Sequence, residues 1–268
     1  MSDTPTSSLL ATLSDDLAKA VEQGGAGTVT VNARRRLPGS GILWTADGSI
    51  VTANHVVERD EEITVTLPDG RTVEAKLTGR DGGSDIAVLR VDASDLAPVA
   101  RASEPVKPGN LVLAIGRPGP SGPMASFGVV SMIGGPLRGG PRGHRGGPPQ
   151  GGPGGPGRRG GPPPRPEGMP DAGVGIDRFI RADVAMLPGF SGGPLVTAAG
   201  EIAGMNSSFL GRWGGLTLPV DLIDPIVTSL QTHGKVRRGF LGIGVQSAHL
   251  PQAQIAATGS AQAHGLLA

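Results

Sequence analysis

The sequence contains no cysteine among its 268 residues. Disulfide bonds, zinc sites with cysteine ligands and thiol nucleophiles are therefore all excluded. The sequence also lacks any apolar run long enough to span a membrane. Its net charge of +1 gives no general reason to expect binding to nucleic acid or to a membrane surface, so we expect no membrane partner.

The N-terminal sequence lacks the features of a secretory signal. Asp3 comes early, the first basic residue is Lys19, and no unbroken apolar segment follows. We therefore expect a cytoplasmic protein, or a periplasmic or extracellular one if a leader has been removed.

The same region carries an apolar repeat with helical spacing. Leu9, Leu13, Leu17 and Val21 recur every four residues, and a glycine pair follows them at 24–25. This pattern predicts an amphipathic helix that ends at the glycine pair and packs its apolar stripe on another part of the protein. We assign residues 1–25 to this helical segment.

Most of the remaining sequence consists of short β-rich segments separated by turn signals. One set runs from about residue 28 to residue 91, and a second set runs from about residue 110 to residue 219, with about six segments in each. Strands at this spacing without intervening helices are typical of barrels. We therefore predict an all-β fold with two six-stranded antiparallel barrels, together with a short N-terminal and a C-terminal helix.

The predicted boundaries follow from these segments. The first barrel covers residues 26–100, the second covers residues 101–234, and a further segment covers residues 235–268. The C-terminal helix lies at the end of the second barrel, where Asp221 can cap it and Gly234 can end it.

Glycine and proline are abundant, with 46 and 25 residues, and many of them fall in one insertion at residues 134–170. This composition cannot bury enough apolar surface to fold, so we expect a disordered surface loop. Its charge is strongly basic, with only Glu167 opposing Arg138, Arg142, Arg145, Arg158, Arg159 and Arg165. The alternative is that these arginines make a weak contact with nucleic acid or another polyanion.

The strongest candidate for chemistry is Ser191, which lies in the sequence Gly-Phe-Ser-Gly-Gly-Pro at residues 189–194. A serine nucleophile needs a general base and a group that orients the base. His55 ends one β-rich segment and Asp85 begins another, so both can lie at strand ends in a cleft between the barrels. Their order in the chain is then His, Asp, Ser.

Two other interpretations of Ser191 stay open at this point. In the order Ser, Asp, His, its partners would be Asp221 or Asp224 and His233, but that arrangement requires a helix after the serine. Pro194 and the β-like residues after it argue against such a helix. The remaining interpretation is a glycine-rich hairpin with an idle serine.

The glycines around Ser191 can shape the backbone for catalysis. Gly189 can adopt a backbone conformation closed to other residues and can approach a substrate closely. The backbone N–H groups of Gly189 and Ser191 would then face a developing oxyanion.

Three separated blocks, Thr52–Val57, Ser84–Val91 and Gly189–Leu195, together with their flanking sequences, resemble the trypsin-like serine proteases of the HtrA/Deg type. The resemblance covers about residues 25 to 246, and its last part, residues 237–246, is similar to the opening of a PDZ domain. It implies that Ser191 is the nucleophile, His55 the general base and acid, and Asp85 the residue that orients His55. No cofactor or metal is implied.

The resemblance also suggests how a substrate is held. Ala185 falls at the floor of the primary pocket, which implies cleavage after small or medium apolar residues. Phe190 stands where the family usually has asparagine, and we expect its ring to alter the pocket or to hold the loop inactive. Asn206, Ser207 and Ser208 are expected to lie beside the substrate and pair with it as a strand.

The predicted function is that of a serine endopeptidase that cleaves unfolded or misfolded proteins in protein quality control without ATP. The alternative is a catalytically dormant peptide-binding or chaperone-like module of the same fold. Unfolded polypeptides are the expected partners. The helical segment 1–25 could support a homotrimer, as the family's N-terminal segments do, although packing on a barrel is favoured.

Overall fold

The structure, a computed structural model, describes residues 8–35, 37–135, 176–210 and 215–236, together with the backbone of two short strands at 246–249 and 264–267. Its helices are α1 (Leu9–Ala26), a 3-10 helix (Asn54–Val56) and α2 (Val220–His233). The strands are β1 (Thr28–Asn32), β2 (Gly39–Leu43), β3 (Ser49–Ala53), β4 (Ile63–Thr66), β5 (Thr72–Asp81), β6 (Ile86–Val91), β7 (Leu111–Gly116), β8 (Met124–Gly134), β9 (Phe179–Ala182), β10 (Pro194–Thr197), β11 (Ile202–Ser207), β12 (Leu216–Pro219), β13 (Gln246–His249) and β14 (His264–Leu267).

Twelve of these strands form two closed antiparallel barrels. The first has the order β1-β2-β3-β6-β5-β4 and closes where β1 pairs with β4. The second has the order β10-β11-β12-β9-β8-β7 and closes where β10 pairs with β7. Both barrels are filled by aliphatic side chains, mainly Val, Ile and Leu. The predicted all-β fold with two six-stranded barrels and a helix at each end is confirmed.

Helix α1 begins at a serine cap, because the Ser8 hydroxyl accepts a hydrogen bond from the N–H of Ala11 at 3.2 Å. The sequence predicts that this helix ends at the glycine pair 24–25. In the structure the helix continues to Ala26. Gly24 serves close packing instead, since a Cβ there would lie 2.6 Å from the Ile115 side chain in the second barrel. Glycine is therefore needed inside this helix because the barrel surface touches its backbone.

The apolar stripe of α1 is only partly covered. Leu17 and Val21 pack against the core, whereas Leu9 and Leu13 are exposed. Within the described residues, no helix is both long enough and apolar enough to cross a membrane.

Helix α2 ends as predicted at Gly234, which has a left-handed backbone with φ of 69°. Its start differs from the prediction, because Pro219 holds the cap position and Asp221 lies inside the first turn. The Asp221 carboxylate pairs with Arg178 rather than with the helix N-terminus. Ile223, Val227 and Leu230 form the buried face of the helix.

Residues 237–268 form a separate unit, in which β13 pairs with β14 as an antiparallel hairpin. The PDZ-like segment predicted at 237–246 lies almost wholly outside the described residues. Of the basic insertion predicted at 134–170, residues 136–170 also lie outside the described residues, in a gap that extends to residue 175.

Candidate active site

The turn that carries Ser191 lies between the two barrels. It follows a loop from β9 and leads directly into β10. A Cβ on Gly192 would lie 2.1 Å from the carbonyl oxygen of Ser40 in β2, and a Cβ on Gly193 would lie 2.1 Å from that of Ile115 in β7. Both glycines are needed because the turn passes between a strand of each barrel with no room for side chains.

Asp85 lies at the first barrel's edge, just before β6, and only 1% of its surface is exposed. Its backbone has a left-handed φ of 57°, a strained conformation for a non-glycine residue. The carboxylate accepts hydrogen bonds from Nδ1 of His55 at 2.8 Å, from the backbone N–H of His55 at 3.0 Å and from the hydroxyl of Ser207 at 2.5 Å. These three donors fix the orientation of the carboxylate.

His55 lies in the 3-10 helix that follows β3, across the barrel edge from Asp85. Because an ionised carboxylate can only accept, Nδ1 carries the proton in this pair, and Nε2 of a neutral ring has a free lone pair. One face of the ring stacks on Phe209, with ring centroids 5.6 Å apart. The imidazole is thus held in the tautomer that a general base requires.

The hydroxyl of Ser191 is bonded to a neighbouring serine in this structure. Its Oγ lies 2.8 Å from Oγ of Ser208 and accepts the N–H of Ser208 at 3.2 Å. Within the described residues, Ser191 Oγ makes no hydrogen bond to His55. The hydroxyl of Ser207 reaches Asp85 while that of Ser208 reaches Ser191, so two adjacent residues connect the acid to the serine.

Pro188 and Gly189 form the centre of a tight turn before Ser191. The N–H of Phe190 donates to the carbonyl of Leu187 at 3.1 Å, and Gly189 has a φ of 90°, which together define a type II turn with Pro-Gly at its centre. In the described part of the chain, the N–H groups of Gly189 and Ser191 donate to no other group. Two unused N–H donors are therefore present at the serine turn, one on Ser191 itself and one two residues before it.

The three residues predicted to pair with a substrate strand do not share one environment. Asn206 is fully buried, its backbone bonds to Gly192 and Gly193, and its side-chain amide donates to the carbonyl of Pro194. Asn206 is therefore part of the support for the serine turn, and its contact with substrate stays a prediction. Ser207 is also fully buried, and its hydroxyl serves Asp85. Only Ser208 is exposed.

The predicted pocket residues also differ from one another. The ring of Phe190 is fully buried in the core of the second barrel against Gly116, and its effect on the pocket or on the activity of the loop stays a prediction. An aromatic ring is stable there because the core removes its apolar surface from water. Ala185 is exposed. Its neighbour Met186, which the sequence analysis missed, lies against Gly215.

The alternative order of Ser, Asp and His has no support in the structure. The carboxylate of Asp224 accepts hydrogen bonds from Trp44 and Arg101, and that of Asp221 pairs with Arg178. His233 lies in the last turn of α2, where a basic side chain is favourable near the helix C-terminus. These contacts leave neither acid beside His233 or Ser191.

Comparison with known proteins agrees with the fold. A profile for the trypsin-like peptidase domain matches residues 39–205. A probable periplasmic serine endoprotease, DegP-like, from Pseudomonas fluorescens is 36% identical over 215 residues, 78% of this chain and 38% of that protein. Its namesake from Halomonas elongata is 36% identical over 218 residues, 79% of this chain and 39% of that protein. The chain thus spans less than two fifths of the length of these relatives.

Solved structures show the same relationship. The HtrA-type protease AlgW with a decapeptide superposes with a TM-score of 0.65 and 25% identity, covering 94% of this chain and 78% of that chain. The serine endoprotease from Yersinia pestis superposes with a TM-score of 0.63 and 28% identity, covering 85% of this chain and 71% of that one. The matched domain, the relatives and the shared barrels together show that the chain belongs to the trypsin-like peptidase family, as a serine protease of the HtrA/Deg type.

Proposed function

We propose that the chain is a serine endopeptidase that uses Ser191, His55 and Asp85. The proposal rests on the hydrogen bond that Nδ1 of His55 donates to Asp85, because it directs the basic nitrogen of the ring away from the acid. Nε2 of His55 takes the proton of Ser191 Oγ as that oxygen attacks the substrate carbonyl. The N–H groups of Gly189 and Ser191 then stabilise the oxyanion.

The later steps use the same groups. The protonated His55 gives its proton to the leaving amine, which departs and leaves an ester on Ser191. His55 next takes a proton from a water molecule, which attacks the ester, and then returns that proton to Ser191 Oγ as the acyl bond breaks and the second product leaves. Asp85 holds the ring throughout and stabilises its positive charge. The direct test is cleavage of casein by the parent chain compared with a Ser191→Ala variant.

In the conformation described, Ser191 Oγ bonds to Ser208 and not to His55, so the Ser191 hydroxyl must turn before it donates to His55. Replacing Ser208 by alanine removes the competing hydroxyl while keeping its backbone N–H. A neutral hydrogen bond contributes about 0.5–1.5 kcal/mol, so Ser208→Ala should react with a fluorophosphonate roughly 2- to 10-fold faster than the parent chain.

The rate of fluorophosphonate labelling, followed by intact mass, measures this effect. Ser229→Ala is a suitable control because Ser229 is a half-buried serine of α2 whose hydroxyl donates to the carbonyl of Lys235. Slower labelling of Ser208→Ala than of this control would mean that Ser208 assists the nucleophile instead of restraining it.

We also propose that cleavage follows small or medium apolar residues. Ala185 offers no carboxylate to bind a lysine or arginine side chain, and Met186 adds an apolar surface beside it. The nearby Asp183 is bound to the strand beside it, because its Oδ1 accepts the N–H of Val129 at 2.6 Å.

Mass spectrometry of the fragments from unfolded casein gives the residue that precedes each cleaved bond. We expect Ala, Val, Ile, Leu and Met to dominate at that position, and we expect a stable folded protein of similar composition to resist cleavage. A profile dominated by lysine or arginine would contradict the proposed pocket, and equal cleavage of the folded protein would contradict the proposed preference for unfolded chains.

The wider role proposed is quality control of unfolded or misfolded proteins. The names of the relatives place them in the periplasm, which favours the periplasmic alternative for this chain over the cytoplasmic one expected from the sequence. Assembly as a homotrimer and contact of the basic insertion with a polyanion stay predictions from the sequence. A catalytically dormant peptide-binding or chaperone-like module of the same fold is the alternative to an active peptidase. The two differ in one measurement, since a dormant chain would not react with a fluorophosphonate at Ser191.

A further inference from the structure

Ser40 joins three segments of the molecule at the base of the serine turn. It lies in β2 of the first barrel and is fully buried. Its backbone N–H donates to the carbonyl of Ser191 at 3.0 Å. Its side chain lies between Gly189 of the serine turn and Arg117, which follows β7 of the second barrel.

The directions of the two side-chain hydrogen bonds are fixed by their partners. The N–H of Arg117 can only donate, so Oγ of Ser40 accepts it at 2.8 Å. The carbonyl of Gly189 can only accept, so the hydroxyl proton of Ser40 points to it at 2.7 Å. A side chain at position 40 must therefore both donate and accept to satisfy these buried groups.

The bond to Gly189 acts on the peptide unit between the two proposed oxyanion donors. That unit contains the carbonyl of Gly189 and the N–H of Phe190. Ser40 holds the carbonyl, and the carbonyl of Leu187 holds the N–H at 3.1 Å. With both ends held, the unit fixes the relative orientation of the peptide units before and after it, which carry the N–H groups of Gly189 and Ser191.

We propose that Ser40 is a positioning residue for the oxyanion site. Its hydroxyl keeps the turn at Gly189 in the conformation that directs the N–H groups of Gly189 and Ser191 toward one point. Ser40 touches neither substrate nor the reacting atoms. The inference rests on the proposed function, because the two N–H groups matter to catalysis only if Ser191 is the nucleophile.

The test is Ser40→Ala, which keeps the backbone bond to Ser191 and removes only the bonds of the hydroxyl. Oxyanion stabilisation acts on the transition state and not on the bound substrate. For a peptide taken from the casein cleavage profile, we expect kcat to fall by about 10- to 100-fold, below the roughly 100- to 1000-fold effect of losing one donor entirely, while KM changes less than about 3-fold. A peptidyl trifluoromethyl ketone, which forms an oxyanion on Ser191, should bind more weakly by a similar factor.

Thr30→Val is the matched control. The hydroxyl of Thr30 is also buried and donates to the backbone carbonyl of Arg117 at 2.6 Å. It does not contact the serine turn. Valine keeps the shape of threonine and removes only the hydrogen bond. Thermal unfolding of both variants shows how much stability each loses, so a loss of folding is separated from a loss of positioning.

The inference is overturned if Ser40→Ala loses no more kcat than Thr30→Val, or if KM rises as much as kcat falls while the ketone binds normally. Fluorophosphonate labelling of the parent chain, absent in Ser191→Ala, shows that the proposed function holds in either case. If the parent chain is not labelled at Ser191, the proposed function fails first.

Discussion

A Ser191→Ala variant should lose peptidase activity while keeping its fold. The substitution removes the oxygen that attacks the substrate and leaves the glycines that shape the turn unchanged. Loss of a serine nucleophile from a triad lowers kcat by on the order of 10⁶, because the triad acts as one unit. Digestion of casein by equal concentrations of the two chains measures this directly.

The control for this prediction is Ser229→Ala, which replaces a half-buried serine of α2. It should digest casein at the rate of the parent chain. Activity of Ser191→Ala within 10-fold of that control would show that another residue is the nucleophile and would remove the basis for the proposed function.

An Asp85→Asn variant should lower kcat by about 10⁴-fold, the effect expected when a triad histidine is held in the wrong tautomer. The contacts of Asp85 explain the direction of the change. One carboxylate oxygen accepts the backbone N–H of His55, which can only donate, so an asparagine must place its own oxygen there. Its NH₂ group then faces Nδ1 of His55, while the hydroxyl of Ser207 can turn to accept.

A donor facing Nδ1 forces the ring proton onto Nε2, so the ring has no lone pair for the proton of Ser191. Asp224→Asn is the matched control, because that carboxylate also accepts an N–H from a ring, the indole of Trp44, far from the serine turn. Steady-state kinetics should show the large loss only for Asp85→Asn. A loss below about 10-fold would mean that Asp85 does not orient His55 in the reaction.

The residues of the proposed triad and the two barrels could be predicted from the sequence because each has a local signal. His55 and Asp85 lie at the ends of β-rich segments, and the turn at Gly189 is encoded by a Pro-Gly pair that favours a type II turn. A barrel strand has alternating apolar and polar residues, or only apolar ones, over a short stretch of sequence. Its position can therefore be predicted without knowing which strands pair with it.

The partners of the hydroxyl groups could not be predicted in this way. Ser40, Ser207 and Ser208 lie in ordinary β-rich or turn sequences, and their contacts form only when strands distant in the chain come together. The burial of the Phe190 ring has a related cause, because the same residue can face a pocket or the barrel core depending on the path of the turn. The sequence predicts a helix end at the glycine pair 24–25 since the need of Gly24 for close packing against Ile115 is not local.

If His55 and Asp85 activate Ser191, a fluorophosphonate reacts with that serine and its adduct can be located. We predict that peptide mapping of the labelled parent chain finds the adduct on Ser191 and not on the adjacent hydroxyls of Ser207 or Ser208. We further predict that His55→Ala removes the labelling. An adduct on another residue, or labelling of Ser191 that persists at the parent rate without His55, would show that His55 and Asp85 do not activate Ser191.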